Sequence, residues 1–160
     1  MTTAAPEPSG VTHAERGARA AWSRIAEPAD DRALEMVAEH GAVEALRLVR
    51  SGDPAVPEVF RMRVERFGDD AGADALLAAA RALEATVLCP GDPEWPRRVD
   101  DHPLPPLCLW VLGDPDLAGL SERSVSVVGA RSSTAYGNTV ASGLGAGLAE
   151  RGWTVVSGAA

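Results

Sequence analysis

Lysine is missing from this 160-residue sequence, and aromatic residues are scarce: one tyrosine, two phenylalanines and four tryptophans. Without a lysine, a Walker-type phosphate loop is excluded. The two cysteines, Cys89 and Cys108, are too few for the disulfide framework of a small secreted domain, and reduced cytoplasm is the expected compartment. The opening MTTAAPEPSG lacks the basic start and apolar stretch of an export signal. No run approaches the roughly 18 apolar residues of a membrane span. Excess positive charge is also lacking, since 15 arginines face 23 acids for a formal net charge of −8. The split is 10 arginines against 15 acids over residues 1–90 and 5 against 8 over 91–160. Neither part is polybasic, so any anion site must be local, built from a few arginines and backbone amides.

Enough apolar residue is present, 46%, to bury a core. Residues 1–11 offer little to bury and are expected to be disordered. Thr12 and Glu15 have capping-box spacing, and Ala18, Ala21, Trp22 and Ile25 then share a helical face that Pro28 terminates. A second helix is expected from Asp30 or Asp31 through Leu34, Val37 and Ala38 to Gly41, with acids at its positive end. A third carries Val43, Leu46, Leu48 and Val49 and stops at Gly52. Pro57 suits a first helical turn, and Phe60, Val64 and Phe67 form the stripe of a fourth helix closed by Gly68. A fifth fits 70–85, with Leu76, Leu77, Ala80 and Leu83 inward. The expectation is a helical domain over 12–85.

After Ala85 the character changes. Thr86–Cys89 is a short β-type run, and seven Pro or Gly residues crowd the stretch from Pro90 to Pro106, which must be extended or turned. This places a junction over 86–106. Strands are expected at Leu107–Leu112, Ser124–Val128 and Trp153–Val156. Between the last two, Val140, Leu144 and Leu148 mark a helix from Thr134 to Arg151, with Gly152 as its cap. Gly143, Gly145 and Gly147 each cost that helix about 1 kcal/mol relative to alanine, so packing must hold it. Strand, loop, helix and strand in this order predict a parallel α/β sheet over 107–160, wound like a Rossmann domain. Such sheets usually have five or six strands, so the sheet is expected to be incomplete and the chain a fragment.

The segment with chemical content is Val127–Gly137, VVGARSSTAYG. It delivers a strand to Gly129 and opens a helix whose unpaired amides favour an anion. Ser132, Ser133 and Thr134 supply an N-cap and spare hydroxyls, and Arg131 can give a bidentate pair to a phosphate. A capped turn with a solvated arginine fits the spacing equally well. The dinucleotide fingerprint fails, because Arg131 stands where its second glycine belongs.

At these residues the sequence resembles the DNA-processing protein A (DprA/Smf) family. The resemblance rests on VSVVGARSSTAYG, on TVVSGAA twenty residues later, and on Gly91-Asp-Pro-Glu-Trp-Pro96 leading through Pro105-Pro106-Leu107 to Leu109-Trp-Val-Leu-Gly113. The family usually has Tyr-Pro at Trp95-Pro96. The resemblance implies a SAM-like or helix-hairpin-helix-like N-terminal domain, then a Rossmann-like domain. Its two loops would hold single-stranded DNA through Gly129, Arg131, Ser132, Ser133, Tyr136 and Gly137 from the first and Ser157 and Gly158 from the second. It further implies delivery of single-stranded DNA to the RecA recombinase in natural transformation, a homodimer in the full-length family, and neither cofactor nor enzymatic activity.

Other constellations are weaker. Cys89, His102 and Cys108 match no metal-ligand spacing, and both cysteines read as core. Ser132, Ser133 and Ser157 have no neighbouring base, because His13, His40 and His102 lie in other segments. Asp69-Asp70 and Asp100-Asp101 suit turns and caps, an aromatic at Tyr136 suits a buried helix face as well as a base, and Glu39-His40-Gly41-Ala42 suits packing. A Rossmann-like enzyme that hydrolyses nucleotides is the alternative from another functional class.

Overall fold

The computed structural model describes residues 10–67, 72–114 and 116–158. The chain is mixed α/β and divides between residues 115 and 116 into two compact units. The expected closure of the fourth helix at Gly68 and the turn at Asp69-Asp70 lie outside the described residues.

In the first unit, α1 (His13–Ile25) starts where Thr12 Oγ1 accepts the Glu15 amide at 3.2 Å. The reciprocal half of the capping box is not made, because the Glu15 carboxylate pairs with Arg19 one turn on, at 2.8 Å. Helices α2 (Asp31–His40) and α3 (Ala42–Arg50) meet at Gly41, whose φ of +76° is a backbone state glycine adopts without strain. Helices α4 (Glu58–Phe67) and α5 (Ala73–Ala82) complete the set. Helix α1 is central and packs on α3, α4 and α5. Trp22 and Phe60, both fully buried, meet edge-to-face at 5.4 Å, and the Trp22 indole donates to the Ala42 carbonyl at 3.1 Å. The aromatic pair is favourable in that geometry, and the indole N–H, costly to bury unpaired, is satisfied. Leu83 departs from expectation: α5 ends one residue earlier, and its side chain is 71% exposed. Val43 likewise faces out. Val11, placed in the disordered start, instead packs against the core.

The Pro-rich stretch belongs to the same unit. Strands β1 (Ala85–Leu88) and β2 (Leu109–Leu112) pair antiparallel, with Ala85 opposite Leu112 and Leu88 opposite Leu109. This corrects the expected placement of residues 107–112 in a parallel sheet; the first compact unit runs on through the proline cluster to residue 115. The reason is the clasp between the strands. Asp92 accepts the Cys89 amide and receives both terminal nitrogens of Arg16, one at 2.7 Å, while Arg16 also donates to the Val87 carbonyl. Burial works to raise the Asp92 carboxyl, yet the hydrogen bonds from Arg16 and the Cys89 amide, with the arginine's charge, hold it below the usual carboxylate range. Trp95 is buried beside it, and its indole donates to Asp100 at 3.0 Å. A 3₁₀ turn over Arg97–Asp101 follows, in a stretch where prolines disfavour longer elements.

The second unit begins with a short helix, α6 (Leu117–Glu122), which the apolar pattern did not signal. Its N-cap, Asp116, accepts the Gly119 amide at 2.9 Å. Strand β3 (Ser124–Ser126), helix α7 (Ala135–Ala149) and strand β4 (Thr154–Val156) follow, and β3 pairs parallel with β4 as expected. Bonds from the Thr154 amide to the Arg123 carbonyl and from the Val127 amide to the Val156 carbonyl, both 2.8 Å, extend the ladder. Gly152, at φ +71°, makes the turn into β4, where Arg123 lies 5.1 Å over the Trp153 ring. The expected burial of the α7 stripe is not found. No described residue of α7 is buried, and Val140 and Leu144 are about half exposed.

Two predictions concern the first unit. A Cβ on Gly17 would lie 2.6 Å from the Ala73 Cβ. Gly17→Ala is therefore expected to lose about 1–2 kcal/mol, despite the alanine's better helix propensity, because α1 and α5 must separate; urea melts provide the check. Asp92→Ala leaves Arg16 without its carboxylate and is expected to cost about 3 kcal/mol. Because the Asp92 pKa is depressed by folding, its contribution is complete above the unfolded carboxylate pKa. It is lost as pH falls through the folded value, and the wild-type and variant melting curves should converge in acid.

Candidate functional site

The parallel pairing of β3 and β4 sets two loops side by side at the carboxyl edge of the strands. The loop after β3 runs from Val127 to Thr134, and that after β4 starts at Ser157. Together they line a cleft of about 570 Å³. Gly129, Ser132, Ser133, Gly137, Ser157 and Gly158 contribute to its wall, so six of the eight residues singled out in the sequence are brought together. Arg131 and Tyr136 are not in that wall. Both are exposed, Tyr136 by 79%, and the option that Tyr136 fills a buried helix face is thereby corrected. Among the described residues Arg131 forms no ion pair.

The start of α7 explains how the wall is held. Thr134 is the N-cap, its backbone extended at φ −83° and ψ 160°, and its hydroxyl accepts the Gly137 amide at 3.1 Å. The amides of Ala135 and Tyr136 belong to the first turn and have no carbonyl within the helix to bond. Asn138, which sequence reasoning passed over, also lines the cleft, and its side-chain oxygen accepts the Ser133 hydroxyl at 2.6 Å. The available signal was its position one turn after the cap, on the same side as Thr134. That bond fixes the Ser133 side chain against the helix start.

Among the described residues that line the cleft there is no carboxylate. Over 124–158 the charged residues are Arg131, Arg151 and Glu150 alone, a local balance of +1 in a chain of net −8. Hydroxyls, one amide side chain and a helix N-terminus are donors suited to an oxyanion. The cysteines and His102 lie elsewhere: Cys89 and Cys108 are buried in the first unit, and His102 Nδ1 accepts the Leu104 amide.

Residues 86–160 match the family model described as DNA recombination-mediator protein A. From Thr86 onward the chain is similar to this family. It is also similar to a protein of Mycobacterium tuberculosis described as DNA processing protein DprA, in strains CDC 1551 / Oshkosh and ATCC 25618 / H37Rv. The identity is 37% over 154 residues, covering 88% of this chain. The chain spans 39% of the length of those relatives. No solved structure gives a significant match. The family's subject is DNA processing in recombination, and both loops of the cleft fall inside the matched residues. No helix among the described residues is long and apolar enough to cross a membrane.

Thr134→Ala should remove the cap of α7 at a cost of about 1 kcal/mol. Amide hydrogen exchange at Gly137 would report it as roughly fivefold faster exchange, with the amides of α1 unchanged.

Proposed function

We propose that the cleft between the two loops binds the sugar–phosphate backbone of single-stranded DNA, as a non-enzymatic element of a recombination mediator. The carrying observation is the juxtaposition itself. A helix N-terminus, the hydroxyls of Ser132 and Ser157, the Asn138 amide that Ser133 holds and the glycines at 129 and 158 share one cleft in which no described lining residue is a carboxylate, with Arg131 exposed on the same loop. Phosphate oxygens accept from such donors without reference to base identity. Glycines let a backbone approach closely, and Arg131 adds a charge-assisted fork from outside the cleft wall. Tyr136, exposed one residue into α7, offers a face on which a base can stack. The recombination-mediator family that residues 86–160 match and the DNA-processing proteins of Mycobacterium tuberculosis support the choice of DNA. Handing the strand to the RecA recombinase, in a homodimeric protein acting during DNA uptake, is the role this reading assigns to the whole protein, with the cytoplasm as its compartment.

Fluorescence anisotropy with labelled oligo-dT tests the assignment on the 160-residue chain. Arg131→Ala is expected to weaken binding about five- to tenfold and to reduce the slope of log K against log salt by about 0.7, the value of one phosphate contact on a single strand. Oligo-dT and mixed sequences should bind within about twofold of each other. Unchanged affinity and slope in the variant would remove Arg131 from the site. Release of phosphate or base from nucleotides would favour the alternative, a nucleotide-hydrolysing enzyme.

A further inference from the structure

The two cysteines stand 19 positions apart, and the pairing of β1 with β2 brings them opposite one another. Each ladder pair sums to the same register: Thr86 faces Val111, Val87 faces Trp110 and Leu88 faces Leu109. Continued one step past the end of the ladder, the same register sets Cys89 opposite Cys108. The ladder stops short of them for a local reason. Extending it would need a bond from residue 90 to the Leu107 carbonyl, and Pro90 has no N–H to give; Arg19 bonds that carbonyl instead, at 3.2 Å. The Cys89 amide and carbonyl are both taken by Asp92, through its side chain and its amide. Cys89 and Cys108 therefore exchange no backbone bonds, and their positions are those of a non-hydrogen-bonded antiparallel pair. In such pairs the Cα atoms approach to about 4.5 Å, within the range of about 4.4–6.8 Å that a disulfide spans. Both belong to the same buried cluster, Cys89 at 0% exposure and Cys108 at 6%. Burial, with Cys108 close by, pushes the Cys89 thiol up to about 12, and burial also raises Cys108. Both are mostly protonated at neutral pH, so the thiolate that reacts is a minor species and its oxidation is slow.

We propose that Cys89 and Cys108 form a dithiol that a small peroxide oxidises, slowly and reversibly, to a cross-strand disulfide joining β1 to β2 at Pro90. Cys108, the less deeply buried, reacts first. Its thiolate attacks one peroxide oxygen, the O–O bond breaks, and the departing hydroxide takes a proton to leave as water. The Cys89 sulfur then attacks the Cys108 sulfenic sulfur; the S–S bond forms, the S–O bond breaks, and the hydroxyl leaves as a second water with the Cys89 proton. Two thiols thus give two electrons and two protons to one hydrogen peroxide. The product covalently replaces the ladder bond that Pro90 cannot make. This inference concerns the first unit and does not depend on the DNA-binding reading of the cleft.

The test uses the 160-residue chain treated with hydrogen peroxide in native buffer, then unfolded, alkylated and digested with trypsin. With no lysine, cleavage falls only at arginine, so Cys89 lies in the peptide 82–97 and Cys108 in 99–123. The expected result is these two peptides joined, two hydrogens lighter than their sum and separated by dithiothreitol. The intact oxidised chain should melt about 10 °C higher than the reduced one, because a loop of some twenty residues is closed in the unfolded state. Cys89→Ser should show neither the joined peptide nor the rise. Two alkylatable thiols after oxidation, over-oxidation of Cys108 without a link, or a link only between chains would each overturn the proposal, as would an equal rise in melting temperature for Cys89→Ser.

Discussion

The candidate site depends on β3 and β4 running the same way. Parallel strands deliver their carboxyl ends to one edge, so the segments that leave those ends are neighbours although some thirty residues separate them in sequence. Three register pairs and two flanking bonds hold this arrangement. An antiparallel pairing would send Ser157 and Gly158 to the opposite edge from Gly129, and neither loop alone would enclose a cleft. The hydroxyls, the helix start and the glycines acquire a common target only through the direction of two short strands.

A different constraint organises the first unit. Arg16 on α1 reaches the Val87 carbonyl of β1 and the Asp92 carboxylate beyond it, while Asp92 ties back to the Cys89 amide. One ion pair therefore connects the helical core, the hairpin and the Pro-rich loop. A half-buried pair of this kind adds modest net stability compared with an apolar contact, but loss of one partner strands a charge. The Gly91–Pro96 segment, through which the family resemblance is partly carried, acts here as that structural clasp: Gly91 turns at φ +101°, Asp92 binds Arg16, and Trp95 fills the core.

Much of the helical part was legible in the sequence, because apolar periodicity and caps act locally. Thr12, Gly41 and Thr134 sit where their residue types require, and Trp22, Ile25, Phe60, Leu76 and Leu77 are buried as the stripes implied. The β3–α7–β4 order and its parallel pairing were legible for the same reason, since residues 124–156 hold the whole unit. Strand partnership at 107–112 was not. A short apolar run is equally suited to either sheet, and the choice was made by Arg16 and Asp92, 76 positions apart. The outward turn of Val140 and Leu144 was also hidden, because a stripe records which residues can pack together and not what lies against them. In the cleft, glycines and hydroxyls announced themselves through the loop pattern, whereas Asn138 is defined only by its bond to Ser133.

The four tryptophans are divided unevenly between the units. Trp22, Trp95 and Trp110 belong to residues 10–114, two of them sealed in the core, while Trp153 is the single indole of residues 116–158 and lies 37% exposed beneath Arg123. It stands four positions before Ser157. Intrinsic emission from this chain is thus a two-colour record: a blue, quencher-shielded component from Trp22 and Trp95, and a redder, iodide-accessible one shared by Trp110, 43% exposed in the first unit, and Trp153 in the second.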